Sequence, residues 1–372
     1  MRITLIGPFA PFRGGISDFN TALFNELNIS HDIQRINYST QYPKFLFPGK
    51  TQYKENVGES LKSERILSTI NPYTWSKTVE KIIEFQPDLV VIHYWMPFFA
   101  PALRKIVVLV NKKIDVKIIA ICHNLIPHEK HRFIQFFTKY FITKVDRFVV
   151  MSKSVKLDLL KIAVNSKIRL VHHPIYNIFG NTIDKEIARK SLGIKAKNVI
   201  LYFGLIREYK GLDILLKSIP KTRQELKDFI VIVAGECYEK TEKYYAIVKN
   251  KKIQDSVDFR LKFIPDDEVS EYFSATDIVA LPYRTATQSG IIQIAYNFNR
   301  PVIVSDVGGL AEIVPNGKTG YVVKPDSDEF ANAIIKFFKE DKFDKFSKNI
   351  QTHKQLFSWE KFVDNLLELA SE

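Results

Sequence analysis

The stretch LYFGLIREYKGLDILLKSI, residues 201–219, passes from an apolar strand through a loop bounded by Gly204 and Gly211 into an amphipathic helix. The same succession of strand, glycine, loop, glycine and helix occurs at RITLIGPFAPFRGGISDFNTAL, residues 2–23. Around these two starts, short apolar runs (DLVVI, KIIAIC, RFVVM, FIVIVA, DIVAL and PVIVS) alternate with helical patterns over 75–85, 129–142, 210–219 and 266–275. Unbroken apolar strands suit a sheet buried on both faces, and helices between them make the strands parallel. Two starts predict two doubly wound, Rossmann-like α/β domains facing a cleft, with ligands outside the strand C-termini. The polar, Pro- and Gly-containing stretch HHPIYNIFGNTIDK, residues 172–185, is the expected boundary. The expected domains are therefore 1–175 and 183–354. Neither glycine loop is a G-x-G-x-x-G fingerprint, which speaks against a dinucleotide-dependent dehydrogenase.

Hydrophobic residues make up 46% of the 372 and charged residues 26%, the proportions of a globular chain with room for more than one core. Cys122 and Cys237 are the only cysteines. They form neither a disulfide framework nor a zinc pattern, which points to a reducing compartment. The opening run MRITLIGPFAP carries no cleavable signal pattern, and the apolar stretch after residue 88 is broken by His93, Pro97 and Pro101. A cytoplasmic location is expected. The net charge of +13 favours an anionic partner. No nucleic-acid-binding motif accompanies that charge, and it is spread along the chain, so no nucleic-acid partner is expected.

Arg207 and Lys210 stand where the 201–219 strand meets its helix. A helix start already repels cations and attracts anions. Two added cations therefore suit a guest richer in negative charge, such as a diphosphate. The alternative is a pair of solvated loop side chains.

LPYRTATQSGIIQIAYNFNRPVIVSDVGGLAEIVPNGKTGYVVKPDSDEF, residues 281–330, taken with 201–219, resembles the C-terminal donor domain of family 4 retaining glycosyltransferases. GPFAPFRGGISDFN (7–20) is similar to the N-terminal glycine loop of that family, and ICHNLIPHE (121–129) to its histidine-bearing strand–loop. FSWEKFVDNLLELA (357–370) resembles its closing helix, expected here over 355–372, which crosses back to the first domain. The resemblance implies the GT-B fold. It also implies transfer of a sugar from a nucleotide-sugar donor on the C-terminal domain to a glycan or lipid-linked acceptor on the N-terminal domain, with retention. The setting would be polysaccharide or glycoconjugate biosynthesis.

Carried onto this chain, the resemblance makes Arg207 and Lys210 the cations that stabilise the departing diphosphate, and His123 a contact of the donor sugar. Ser289 and Gly290, at a helix start, suit phosphate oxygens, with an ordinary N-cap serine as the alternative. Thr287 and Gln288 share that loop, and Gly235 with Glu236, after FIVIVA, completes the expected donor side. Gly14 and Gly15 allow close backbone approach to the donor, or else serve a tight turn with positive φ. His93, Asn124 and His128 are candidate acceptor or sugar contacts, with core or loop roles as the alternative for the two histidines. The family carries a pair of glutamates before its PVI segment, and here that region holds none. Gln293 is the candidate to bond ribose hydroxyls instead, since its amide both donates and accepts.

No metal or other cofactor is expected. Asp266 and Asp267, and likewise Asp326 and Asp328, precede helices and read as N-caps with acidic first turns rather than metal ligands. Basic and aromatic residues are mixed over 128–147 and 41–50, a composition suited to an anionic membrane surface, so a peripheral site on the inner membrane face is expected. The rival readings are a catalytically weak binding subunit and a nucleotide-sugar epimerase. An epimerase needs carboxylate acid–base groups, and a glycoside hydrolase two opposed carboxylates, and neither set is evident.

Overall fold

The computed structural model describes residues 1–42, 51–54, 63–125 and 132–372, apart from the side chains of 132–135. The chain forms two compact units, Met1–Pro174 with Ser358–Glu372 and Ile175–Phe357. The first unit begins β1 (Arg2–Ile6), α1 (Gly15–Leu27), β2 (Asp32–Thr40), β3 (Glu64–Ser68), α2 (Pro72–Phe85), β4 (Leu89–Tyr94) and α3 (Ala100–Lys113). It continues with β5 (Lys117–Cys122), α4 (Arg132–Ile142), β6 (Arg147–Val150), α5 (Lys153–Leu160) and β7 (Lys167–Leu170). These strands make one parallel sheet in the order β3-β2-β1-β4-β5-β6-β7. The chain therefore reverses its direction of travel across the sheet between β1 and β4.

The second unit contains α6 (Lys185–Ser191), β8 (Asn198–Phe203), α7 (Leu212–Glu225), β9 (Phe229–Ala234), α8 (Glu242–Asn250), β10 (Val257–Arg260) and α9 (Val269–Ala275). It ends with β11 (Ile278–Leu281), α10 (Gly290–Asn297), β12 (Val302–Ser305), α11 (Leu310–Ile313), β13 (Gly320–Val323), α12 (Ser327–Lys339) and α13 (Phe343–His353). Its parallel sheet runs β10-β9-β8-β11-β12-β13. Here the reversal falls between β8 and β11, so the loops that leave these two strands flank the position where such sheets bind ligands.

One buried ion cluster fixes that strand pair. Asp277, just before β11, accepts from the Val199 N–H at 2.7 Å, and its second partner is the Arg189 guanidinium at 2.8 Å. Lys185 also bonds it. Arg189 in turn donates to the Ala275 and Lys197 carbonyls, each at 3.0 Å. The cluster sits at the N-terminal ends of β8 and β11, and it holds Ile278 opposite Ile200. Register set at one end decides where the loops emerge at the other.

The last helix, α14 (Trp359–Ser371), belongs to the first unit. Ser358 caps it by accepting from the Lys361 N–H at 3.3 Å. Its apolar face buries Trp359, Phe362, Leu366 and Leu369 against α1 and the strands β5, β6 and β7. Among the described residues no helix is long and apolar enough to cross a membrane.

Candidate active site

In the second unit the loop after β8 is a turn built on glycines. Gly204 has φ +99° and Gly211 φ +65°. A Cβ on Gly211 would lie 2.0 Å from the Pro282 carbonyl oxygen, so both conformation and contact require glycine. This left-handed residue stops a helix from starting at 210. A 3-10 turn over Glu208–Lys210 comes first, and α7 starts at Leu212. Arg207 and Lys210 thus share one turn at the C-terminal end of β8. The Lys210 ammonium lies 5.5 Å from the Tyr283 ring centroid, and the Arg207 guanidinium 5.2 Å from that of Tyr238. Burial, then the neighbouring Arg207, lowers Lys210 from its ordinary value to about 8.

The loop between β11 and α10 is tied to the same turn by a residue the sequence did not single out. Arg284 donates its backbone N–H to the Tyr209 carbonyl at 2.7 Å and its Nη1 to the Glu208 carbonyl at 3.0 Å. Its guanidinium also makes a two-pronged pair with Asp213, both arms 2.8 Å. Burial raises the Asp213 carboxyl, but hydrogen bonds from Arg284 and Lys217 outweigh it and carry the group down to about 2. Its carboxylate partner lies 71 positions away in the chain.

Ser289 is the residue before α10, but its side chain makes no capping bond. Its Oγ instead lies 3.5 Å from the Tyr283 hydroxyl. The ordinary N-cap alternative is therefore not what the structure adopts, and the first N–H groups of α10 have no side-chain cap. Thr287 and Gln288 are half-buried in the loop. Behind it, a Cβ on Gly308 would meet the Ala286 carbonyl oxygen at 1.5 Å. Gly290 faces Tyr176, whose ring edge would be 3.0 Å from an added Cβ.

Three of the residues expected on the donor side are packed into the unit. Gln293 is fully buried, and neither of its amide atoms has a hydrogen-bond partner. It lies in the apolar run IIQIAY of α10. Gly235 (φ +145°) is explained by packing, since a Cβ there would lie 2.0 Å from the Gly204 carbonyl oxygen. Glu236 is buried and uses its backbone carbonyl to accept from the Ile206 N–H at 2.9 Å. Gly235 and Glu236 thereby brace the loops after β8 and β9.

In the first unit His123 follows β5, its N–H bonded to the Tyr94 carbonyl at 2.8 Å. Its Nε2 lies 3.0 Å from Nδ1 of His93 on β4. Phe19 of α1 meets the His123, His173 and His93 rings edge-on at 5.0, 5.2 and 5.8 Å. Burial lowers His93 to about 3 and His173 to about 4, the latter opposed by a bond to the Pro174 carbonyl. His123 is held well below its ordinary value by burial and then by its two histidine neighbours. All three rings are neutral at pH 7. His93 has no exposed surface, which corrects its assignment as an acceptor contact.

Asn124 is half-buried, its Oδ1 without a hydrogen-bond partner. His128 lies outside the described residues. Gly14 has φ +114° and Gly15 opens α1. Nothing lies within 4 Å of a Cβ added to Gly14, so conformation rather than crowding selects glycine there.

Asp326 caps α12, accepting from the Asp328 N–H at 2.8 Å and the Glu329 N–H at 3.3 Å. Asp266 and Asp267 differ from expectation: the capping position of α9 is Glu268. Among the described residues no three His, Cys, Asp or Glu side chains form a group that could hold a metal ion.

Two sequence families match the chain. Glycosyl transferases group 1 matches residues 184–353, and Glycosyltransferase Family 4 matches residues 51–176. The chain belongs to the family 4 group 1 glycosyltransferases. A similar curated protein is a D-inositol 3-phosphate glycosyltransferase of Gordonia bronchialis, 26% identical over 198 residues. That match covers 50% of this chain and 43% of the relative. This family 4 chain is also 26% identical over 391 residues to an uncharacterized glycosyltransferase of Methanocaldococcus jannaschii, covering 100% of the chain and 98% of the relative. Against several other curated relatives the matched part spans about half their length. Among solved structures, Anabaena HepE in complex with UDP and glucose is similar in fold, with a TM-score of 0.76 at 16% identity and 100% of both chains covered. The two parallel-sheet units of this glycosyltransferase-family chain make the GT-B fold.

Proposed function

We propose that the protein transfers a sugar from a nucleotide-sugar donor to a glycan or lipid-linked acceptor, with retention and without a divalent metal. One observation carries this reading: Arg207 and Lys210 share a single turn at the β8–β11 reversal, beside the α10 start that Ser289 leaves without a side-chain cap. The diphosphate would bind there. UDP and glucose bound to the structurally similar HepE support a nucleotide-sugar donor here. As the bond from the anomeric carbon to the phosphate oxygen breaks, negative charge grows on the diphosphate, and the two cations stabilise it. The acceptor oxygen attacks from the same face, and its proton passes to the departing phosphate oxygen. The test is donor consumption in chelator across a panel of nucleotide sugars. Donor-dependent transfer supports the proposal, and epimer formation alone would replace it.

The proposal makes nucleotide affinity pH-dependent. Lys210 is charged below about 8 in the free protein, and a bound diphosphate raises that value again. Affinity should hold from pH 6 to 8 and then fall by up to about tenfold per unit, as binding takes up one proton. The sign for stability is opposite. The folded value is depressed below the unfolded one, so charged Lys210 costs stability below pH 8 and that cost is relieved as pH rises further. Calorimetry of nucleoside diphosphate binding at pH 7 and 9, in buffers of different ionisation enthalpy, checks this. Equal proton uptake at both values would remove Lys210 from the anion site.

Membrane association is proposed for α4. Phe136, Phe137 and Tyr140 are 68%, 43% and 41% exposed, and Arg104 lies over the Tyr140 ring at 4.0 Å. Exposed aromatics beside basic residues suit an anionic interface. The protein should sediment with anionic vesicles at low salt and be released at high salt. Equal recovery on neutral vesicles would leave no role for charge.

A further inference from the structure

His93 and His123 stand 30 positions apart in the chain, yet their rings lie edge to edge and nearly parallel, with centroids 5.4 Å apart and an interplanar angle of 26°. The 3.0 Å between His93 Nδ1 and His123 Nε2 requires one proton on that line. Both rings are neutral, so each carries a single N–H, and only two arrangements are open. In one, His123 donates from Nε2, and His93 must then keep its own proton on its Nε2. No partner meets that atom, and no solvent reaches the residue. In the other, His93 donates from Nδ1 and only a bare lone pair is left unpaired on its Nε2. A buried N–H without a partner is rarer than an under-satisfied acceptor. The second arrangement therefore wins.

We infer that His93 is a positioning residue that donates Nδ1–H to His123 Nε2, holds the His123 ring in place and fixes its proton on Nδ1. The donor itself is clamped. A Cβ on Gly7 would come within 3.1 Å of His93 Cδ2, and Phe19 of α1 packs edge-on against the ring. His173 shows the same protonation by a separate constraint: its Nδ1 lies 2.7 Å from the Pro174 carbonyl oxygen, which can only accept. With its proton on Nδ1, His123 is a neutral hydrogen-bond donor toward a sugar oxygen and not a general base. This consequence rests on the proposed transferase reading, in which His123 meets the donor sugar. The proton assignment does not.

The experiment is long-range proton–nitrogen correlation NMR on protein labelled at histidine nitrogens, recorded on wild type and two variants. Wild-type His123 should show the Nδ1–H form. His93→Phe removes the donor, and His123 should then redistribute toward Nε2–H, with turnover lower by about tenfold and little change in KM. His93→Asn places an amide N–H where Nδ1 stood and should restore both the Nδ1–H form and most of the rate. An Nε2–H form in wild type, which needs no variant to observe, overturns the inference. So does an unchanged His123 signal in a folded His93→Phe protein. The Nδ1–H form in a protein that transfers no sugar would keep the pair and remove the proposed function instead.

Discussion

Lys210→Ala is expected to lower turnover about a hundredfold while weakening nucleoside diphosphate binding far less. Charge accumulates on the diphosphate as the glycosidic bond breaks, so a cation fixed beside it acts most strongly in the transition state. Lys210 is fixed in that sense: it is carried on the turn between Gly204 and Gly211, its ammonium over the Tyr283 ring. Water cannot stand in for it without reorganising. Lys210→Gln keeps length and polarity but not charge, and should be nearly as damaging. Because burial already disfavours the charged form, the same variant should lose no thermal stability at pH 7. Arg207→Lys should also be costly, since a point ammonium does not reproduce the guanidinium fork. Initial rates with the best donor, with and without chelator, give the answer. Near-normal turnover in Arg207→Ala/Lys210→Ala would mean that these cations serve something else.

Asp277→Ala is expected to destabilise the second unit by about 3–5 kcal/mol, the cost of leaving a buried charge without its partner. Asp277 is 6% exposed and faces Arg189, which is itself buried. Arg300 adds to the uncompensated charge. Burial and then Arg189 push it below its ordinary value to about 10, and Asp277 opposes that shift. Its guanidinium donates to the Phe273 and Ser274 carbonyls at 2.8 and 3.1 Å, which hold it in the buried cluster. Asp277→Asn keeps an acceptor for the Val199 N–H but loses the charge, and should recover only part of the loss. Urea titration followed by tryptophan-independent far-UV dichroism measures it. A shift below about 1 kcal/mol would show that the arginines find other partners. The effect bears on function because this cluster fixes the register of β8 and β11, whose far ends carry Arg207, Lys210 and Ser289.

The central strands were readable because burial on both faces leaves an unbroken apolar run, as in NVILYF and KIIAIC. Several half-buried strands were not. β2 (DIQRINYST), β7 (KIRL) and β10 (VDFR) are largely half-buried and mix polar with apolar residues, so no run stands out. The α7 start was misplaced because Gly211 reads as part of the helix until its positive φ is seen. The cations of the site were legible from charge at a helix start. Arg284 was not, because its meaning lies in Asp213, 71 positions away. His93 was misread for the same reason, its partner being visible only after β4 and β5 pair. Gln293 is buried although its amide reads as a site group. Its chain neighbours Ile291, Ile292, Ile294 and Ala295 are all apolar, which is the sequence sign of a largely buried helix.

The central claim is that the 204–211 turn and the start of α10 together hold the diphosphate of a nucleotide donor. Amide hydrogen exchange, measured by mass spectrometry with and without saturating UDP, GDP or ADP in chelator, tests it directly. The account predicts slowed exchange confined in the second unit to residues 204–211 and 287–292, for at least one of these nucleotides. Binding that protects other segments and leaves both of these unchanged would contradict it.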